Sequence, residues 1–150
     1  MNKEDMLKSC SLCARACTVD RCSGKLGFCK SSDKVKIARA ALHQWEEPCI
    51  SGDRGSGTVF FTGCSLNCVF CQNHCISQQG KGKEVSIERL SEIFLELEGQ
   101  KAHNINLVTP THFIPQIIEA IDMARAKGLS LPIVYNTSSY DSPEAIKALE

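Results

Sequence analysis

The sequence predicts an α/β fold in two parts, a cysteine-rich module with a linker in residues 1–50 and a (βα) core in residues 51–150. Two observations support this division. All ten cysteines lie before residue 76, and three apolar, β-prone segments alternate with three helical segments after residue 57. A chain of 150 residues is long enough for one domain with a small added module.

The first half of the core is expected to contain a strand, a helix and a second strand. Residues 58–62 form a short β-prone run bounded by glycines, and residues 104–109 form a similar run. Between them, Ser86 can cap a helix that Gly99 would end. The apolar positions of this helix recur at intervals of three and four residues, at Ile87, Leu90, Phe94 and Leu97.

The second half repeats this order. Residues 114–121 place four isoleucines on one helical face, residues 131–136 predict a third strand, and residues 141–144 begin another helix. The alternation predicts a parallel sheet with right-handed crossovers, in which reactive groups follow the carboxyl ends of the strands. Because three βα units leave the last parallel strand unpaired, either another chain completes the sheet or this chain is a truncated piece of a longer protein, and we expect truncation.

Composition excludes several classes of function. The 17 basic and 17 acidic residues give no net charge, so charge does not predict a nucleic-acid partner. No apolar run approaches the roughly 20 residues of a membrane span, and the charged N-terminus is unlike a secretory signal. We therefore expect a cytoplasmic protein, in whose reducing environment ten cysteines indicate metal binding or catalysis rather than disulfides.

The second group of cysteines has the spacing of an iron–sulfur site. Cys64, Cys68 and Cys71 follow the pattern C-x3-C-x2-C, and three thiolates so close together can bind a 4Fe–4S cluster with one iron left open. Cys75 decides between two functions, because a fourth ligand would close the cluster and leave only electron transfer. A zinc-stabilised binding module is the other alternative.

The first group of cysteines also has the composition of a metal site. Four thiolates between residues 10 and 29 can bind tetrahedral zinc or a second iron–sulfur cluster. Their spacing does not distinguish the zinc site from the cluster. Because this segment is too short and polar to bury much core, a metal would supply much of its folding free energy. We treat Cys22 as an uncertain extra and Cys49 as a small buried hydrophobe. The four predicted ligands are Cys10, Cys13, Cys17 and Cys29.

Several stretches of the chain resemble the radical S-adenosylmethionine (SAM) superfamily. The central one is a strand followed by Gly63 and the C-x3-C-x2-C run, with the aromatic Phe70 just before the third cysteine. More narrowly, the chain resembles the uncharacterised relatives of pyruvate-formate-lyase-activating enzyme, through residues 10–17, 27–29, 45–52, 55–61, 71–73 and 104–113. The resemblance implies that the core is the first half of a radical SAM (βα) barrel.

This resemblance also implies a chemistry. Cys64, Cys68 and Cys71 would bind three irons, SAM would chelate the fourth, and one electron would cleave SAM to methionine and a 5′-deoxyadenosyl radical that abstracts hydrogen from a substrate. Phe70 would lie near the adenine, and Asn73 is expected to anchor the loop through an Asx-type turn. Activation of a glycyl radical enzyme, the reaction of the named relatives, would require a protein partner.

The expected contacts with SAM come from two strand ends. Superfamily members usually carry a Gly-Gly-Glu-type stretch after the second strand, whereas residues 109–112 keep hydroxyl and imidazole groups but no carboxylate. We predict that Thr109, Thr111 and His112 contact SAM, with local hydrogen bonding as the alternative for His112, and that Asn136 contacts SAM from the third strand end. The expected electron donor is a flavodoxin or a ferredoxin.

Overall fold

The computed structural model describes residues 3–150 and shows a mixed sheet with helices packed against it. Within these residues the strands are β1 (Val35–His43), β2 (Ser56–Phe61), β3 (Lys83–Val85), β4 (Ile105–Val108) and β5 (Ile133–Asn136). The helices are α1 (Lys3–Lys8), α2 (Pro48–Ser51), α3 (His74–Ser77), α4 (Ile87–Gly99), α5 (Ile114–Ala126) and α6 (Pro143–Lys147). The strands lie in the order β3-β1-β2-β4-β5.

The α/β class and the parallel part of the sheet are confirmed. β2, β4 and β5 are parallel neighbours, with Gly57 opposite Ile105 and Ile105 opposite Ile133. Helix α4 lies between β2 and β4 in the chain, and the Ser86 hydroxyl caps it by accepting a hydrogen bond from the Arg89 N–H at 3.1 Å. Helices α5 and α6 follow β4 and β5 in the predicted order.

The expectation of a purely parallel sheet was wrong. β1 pairs antiparallel with β2, and the short β3 pairs antiparallel with the far side of β1. The sequence obscured β1 because most of its nine residues are alanine, lysine, arginine or histidine. Val35 and Ile37 are its buried large side chains. The boundary predicted at residue 50 therefore falls between two paired strands of one sheet.

Two apolar clusters hold the described chain together. The larger one lies between one face of the sheet and helices α4 and α5, and it includes Val59, Phe94, Leu107 and Ile117. The smaller one joins α1 and Leu12 to α5 and α6. Burial of such side chains stabilises the fold by about 1.5–3 kcal/mol each. Of the helices in residues 3–150, none has the length and apolarity needed to cross a membrane.

The N-terminal segment lies across the edge of the sheet where the parallel strands end. Past the end of β5, Cys13 forms an isolated antiparallel bridge with Asp141, and the Ser142 N–H donates to the Leu12 carbonyl at 3.0 Å. Past the end of β2, the backbone at Cys29 approaches Gly63 closely. Both cysteine groups are therefore brought to the same edge of the sheet.

Candidate functional site

The cluster loop, residues 63–73, begins where β2 ends. Its first residue has a φ of +92°, and a Cβ there would lie 2.5 Å from the Cys29 carbonyl oxygen and 2.8 Å from the Ser31 hydroxyl. Only glycine combines this backbone conformation with such a close approach. Gly63 therefore lets the start of the cluster loop pack directly against the N-terminal segment.

Hydrogen bonds within and behind the cluster loop support two of its thiols. The Leu66 N–H lies 3.4 Å from Cys64 Sγ, and the Ser77 hydroxyl lies 3.4 Å from Cys71 Sγ. Both cysteines and Cys68 are half-buried and free of disulfides. Hydrogen bonds to sulfur are a common feature of the cysteine ligands of iron–sulfur clusters.

Residues 73–78 hold the far end of the loop. The Gln78 side-chain amide donates to the Cys68 carbonyl at 2.7 Å, and the Asn73 carbonyl accepts hydrogen bonds from the first turn of α3. The expected Asx-type turn was wrong, because the Asn73 side chain makes no capping hydrogen bond at the start of α3. Cys75 lies within α3 and is exposed.

The tip of the cluster loop exposes apolar surface. Val69 is 99% exposed and Phe70 is 86% exposed. An aromatic ring in this position is open to a ligand, and no described side chain covers it. The predicted contact of Phe70 with adenine stays a prediction.

The predicted SAM contacts after β4 lie at two different depths. Thr109 is half-buried with a φ of +55°, and its N–H donates to the Asn136 carbonyl at 2.9 Å, so the backbones at the ends of β4 and β5 are joined. The Asn136 side chain is exposed. By contrast, Thr111 and His112 are buried in a 3₁₀ turn, with exposures of 2% and 3%.

His112 lies beneath the start of the cluster loop. Its Nε2 lies 2.8 Å from the Thr62 carbonyl oxygen. Because a carbonyl oxygen can only accept, Nε2 is the donor and Nδ1 carries the lone pair. Among the described residues, Nδ1 has no hydrogen-bond partner. Burial lowers the His112 pKa to about 4, so the ring is neutral near pH 7. Local hydrogen bonding, the alternative raised from the sequence, is present.

A carboxylate that the sequence did not identify lies beyond β5. Asp141 accepts hydrogen bonds from the Tyr135 hydroxyl at 2.6 Å and from the Thr137 hydroxyl. Burial, reinforced by Asp141, raises the pKa of Tyr135 above its ordinary value. These contacts tie the loop after β5 to the strand, next to the bridge between Asp141 and Cys13.

The four predicted N-terminal ligands lie together. Burial raises the pKa of the Cys13 thiol, and neighbouring Cys17, Cys29 and Cys10 reinforce the increase. The Phe28 N–H lies 3.5 Å from Cys17 Sγ, and the Arg15 backbone N–H bonds to Cys13. The two remaining cysteines of this region, Cys22 and Cys49, are exposed.

The expectation for Cys49 was wrong. It was predicted to be a buried hydrophobe, but it lies in the four-residue helix α2 with its side chain exposed. The sequence around Cys49 contains no periodic pattern that could have predicted whether its side chain is buried or exposed.

Two arginines that the sequence analysis did not select connect the cysteine groups to the sheet. Arg15 Nε donates to the Ser65 carbonyl in the cluster loop at 3.0 Å, while its guanidinium lies 3.7 Å from the centre of the Phe28 ring. Arg21 is fully buried and donates to the His112 carbonyl at 2.6 Å. Their partners lie 50 and 91 residues away in the chain, so local patterns could not identify them.

The donor set of the cluster loop fits a 4Fe–4S cluster. Its three thiols are free, partly accessible and, at Cys64 and Cys71, already hydrogen-bonded. Among the described side chains, those of residues 5–150, no three His, Cys, Asp or Glu groups are arranged to hold a single metal ion. A cluster makes a different demand, because each of its irons takes a separate thiolate and the sulfurs need not meet at one atom.

Comparison with known proteins gives the family. An uncharacterised protein of Methanocaldococcus jannaschii is 27% identical over 156 residues, which cover 98% of this chain and 44% of that protein. This chain thus spans less than half the length of that relative. No solved structure matches this chain. The Radical SAM superfamily model matches residues 58–150, which include the cluster loop, β4 and β5. The chain belongs to the radical SAM superfamily.

Proposed function

We propose that Cys64, Cys68 and Cys71 bind a 4Fe–4S cluster and that the protein cleaves SAM reductively to abstract hydrogen from its substrate. The observation that carries this proposal is the position of three free thiols on the loop after the first parallel strand. Ligands bind at this edge of parallel sheets, where the loops after β4 and β5 also converge. The match of residues 58–150 to the radical SAM superfamily supports it.

The residues of this chain would hold and tune that site. When bound, the reduced cluster supplies the electron that breaks SAM into methionine and a 5′-deoxyadenosyl radical. The Leu66 N–H and the Ser77 hydroxyl stabilise negative charge on two sulfurs, and hydrogen bonds to sulfur also adjust the reduction potential. The Gln78 side-chain amide fixes the backbone at Cys68, the remaining proposed ligand.

The proposed SAM contacts come from neighbouring strand ends. Thr109, the first residue past β4, is hydrogen-bonded to Asn136, the last residue of β5, and Phe70 exposes its ring at the tip of the cluster loop. Thr111 and His112 are deeper, so we propose that they support the walls of the site, with the neutral His112 Nδ1 as the available acceptor. The loop after β4 has no carboxylate, which makes hydroxyl and backbone groups the partners for the SAM amino group.

We further propose that a flavodoxin or ferredoxin supplies the electron and that the substrate is a protein, as in glycyl radical enzyme activation. The narrower resemblance to activating enzymes supports this part of the proposal. The alternative of a closed electron-transfer cluster requires Cys75 as a ligand, and its thiol is exposed on α3.

Anaerobic reconstitution with iron and sulfide tests the proposal. We expect the reduced chain to give an EPR signal that changes when SAM is added, because one iron is open. The Cys75→Ala variant should keep this response, as should the matched control Cys49→Ala, whose thiol is also exposed. A signal that ignores SAM in the parent chain but responds in Cys75→Ala would instead establish the closed cluster.

A further inference from the structure

Arg21 is a fully buried cation in the N-terminal segment. It begins a 3₁₀ turn, residues 21–23, that the Asp20 carboxylate caps by accepting from the Cys22 and Ser23 N–H groups at 3.0 and 3.2 Å. The Arg21 side chain passes inward and has no exposed surface. Such burial of a guanidinium is uncommon unless a counter-charge is present.

The acceptors around Arg21 are uncharged groups. Its guanidinium donates to the Ser32 carbonyl through two nitrogens and to the His112 carbonyl through a third. That third nitrogen also lies 3.7 Å from Cys10 Sγ. Among the side chains that the structure describes, no carboxylate lies within ion-pair distance of Arg21. A buried charge that is hydrogen-bonded but has no counter-charge among these described side chains is costly, so an anion bound beside it would be stabilising.

Cys10 connects this cation to the four-thiol group. Cys17 and Cys29 line the same space, because a Cβ on Gly27 would lie 3.6 Å from one Sγ and 3.8 Å from the other. Backbone N–H groups of Arg15 and Phe28 point at the sulfurs of Cys13 and Cys17. Donors directed at sulfur, with a guanidinium beside them, can stabilise the negative charge that sulfur carries when it binds a metal or a cluster.

The arrangement favours a cluster over a single ion. No three of these thiols are placed to bind one ion together, as described above for the side chains of residues 5–150. We propose that Cys10, Cys13, Cys17 and Cys29 bind an anionic iron–sulfur cluster and that the buried guanidinium of Arg21 balances its charge. This site is separate from SAM cleavage and does not depend on it.

Removal of the other thiols tests for the cluster. In the chain carrying Cys64→Ser, Cys68→Ser and Cys71→Ser, we expect iron and acid-labile sulfide to remain, at about four irons per chain for a cubane cluster. Adding Cys17→Ser should remove that iron. A triple variant that holds no iron, or that takes up zinc without sulfide, would overturn the proposal and leave the proposed function untouched.

Charge at position 21 is tested in the same triple variant by redox titration followed by EPR. Arg21→Gln should make the reduction potential more negative, because reduction adds negative charge that the cation stabilises. Arg21→Lys should keep the potential near the parent value. The matched control Arg39→Gln removes an exposed cation on β1 and should leave the potential unchanged.

The same variants separate charge balance from structural support. If Arg21→Gln assembles no cluster, Arg21→Lys must still assemble one, because it keeps the charge while losing the planar hydrogen-bond pattern. A Lys variant that also fails would show that Arg21 acts through hydrogen bonding to the backbone and would overturn its role as counter-charge. Equal reduction potentials in Arg21→Gln and Arg39→Gln would also overturn the role of Arg21 as counter-charge.

Discussion

The two cysteine groups have the same ligand chemistry in different surroundings. The thiols of the cluster loop lie on a half-buried loop, beside the exposed side chains of Val69 and Phe70. The N-terminal group packs around the buried Cys10 and contacts the fully buried Arg21. The other three N-terminal thiols are half-buried like those of the cluster loop, so the two sites differ mainly in what lies beside them. Exposed apolar surface suits the binding of a small molecule, whereas a fixed buried cation suits charge balance or electron storage.

The largest expected effect separates the roles of the two groups. Cys68→Ser should abolish the SAM-dependent change in the EPR signal, because it removes one of three ligands of the proposed open cluster. Cys17→Ser should lower the iron content by a similar amount but keep the SAM response. Anaerobic EPR with and without SAM, alongside iron analysis, measures both. A SAM response that is lost in Cys17→Ser and kept in Cys68→Ser would reverse the comparison.

The next effect concerns the histidine that touches both regions. The His112 carbonyl accepts from Arg21, while its ring donates to Thr62 at the start of the cluster loop. Burial lowers its pKa from 6.5 to about 4, so between these values the unfolded chain binds more protons than the folded chain. The free energy of unfolding should therefore fall as the pH drops through this range, by up to about 3 kcal/mol.

Urea unfolding of the metal-free chain at about pH 7 and about pH 5 measures this effect. His112→Gln should flatten the pH dependence. His74→Gln serves as the control because His74 is exposed, and it should keep the parent slope. Equal slopes for the parent chain and His112→Gln would show that burial of this ring does not control acid stability.

Gly63 marks the point where the two regions meet, and its substitution should have a smaller effect. Gly63→Ala places a methyl group 2.5 Å from the Cys29 carbonyl oxygen at a φ of +92°, so the two backbones must separate. We expect a loss of about 2 kcal/mol in the free energy of unfolding. Gly99→Ala is the matched control, since nothing lies within 4 Å of that position. Similar stabilities for the two variants would mean that the contact can relax freely.

The sequence predicted what local patterns encode and missed what long-range pairing creates. Helix α4 and its Ser86 cap follow from periodicity and capping chemistry. Strand β1 lacks a strong apolar alternation and is defined by its pairing with β2. In the same way, cysteine spacing identified the candidate ligands, but the burial of Arg21 depends on carbonyls at Ser32 and His112. No pattern within a helix or loop contains that information.

The smallest predicted effect tests whether Arg15 or packing joins the two regions. Arg15 donates to the Ser65 carbonyl and stacks on Phe28, but it is exposed. We therefore expect Arg15→Ala to lower the free energy of unfolding by only about 1 kcal/mol, with the SAM-dependent EPR change retained. A double-mutant cycle with Phe28→Leu should assign roughly half of this loss to the cation–π contact. We attribute the position of the cluster loop to the close packing at Gly63. A much larger loss of stability, or loss of the SAM response, would show instead that Arg15 positions this loop.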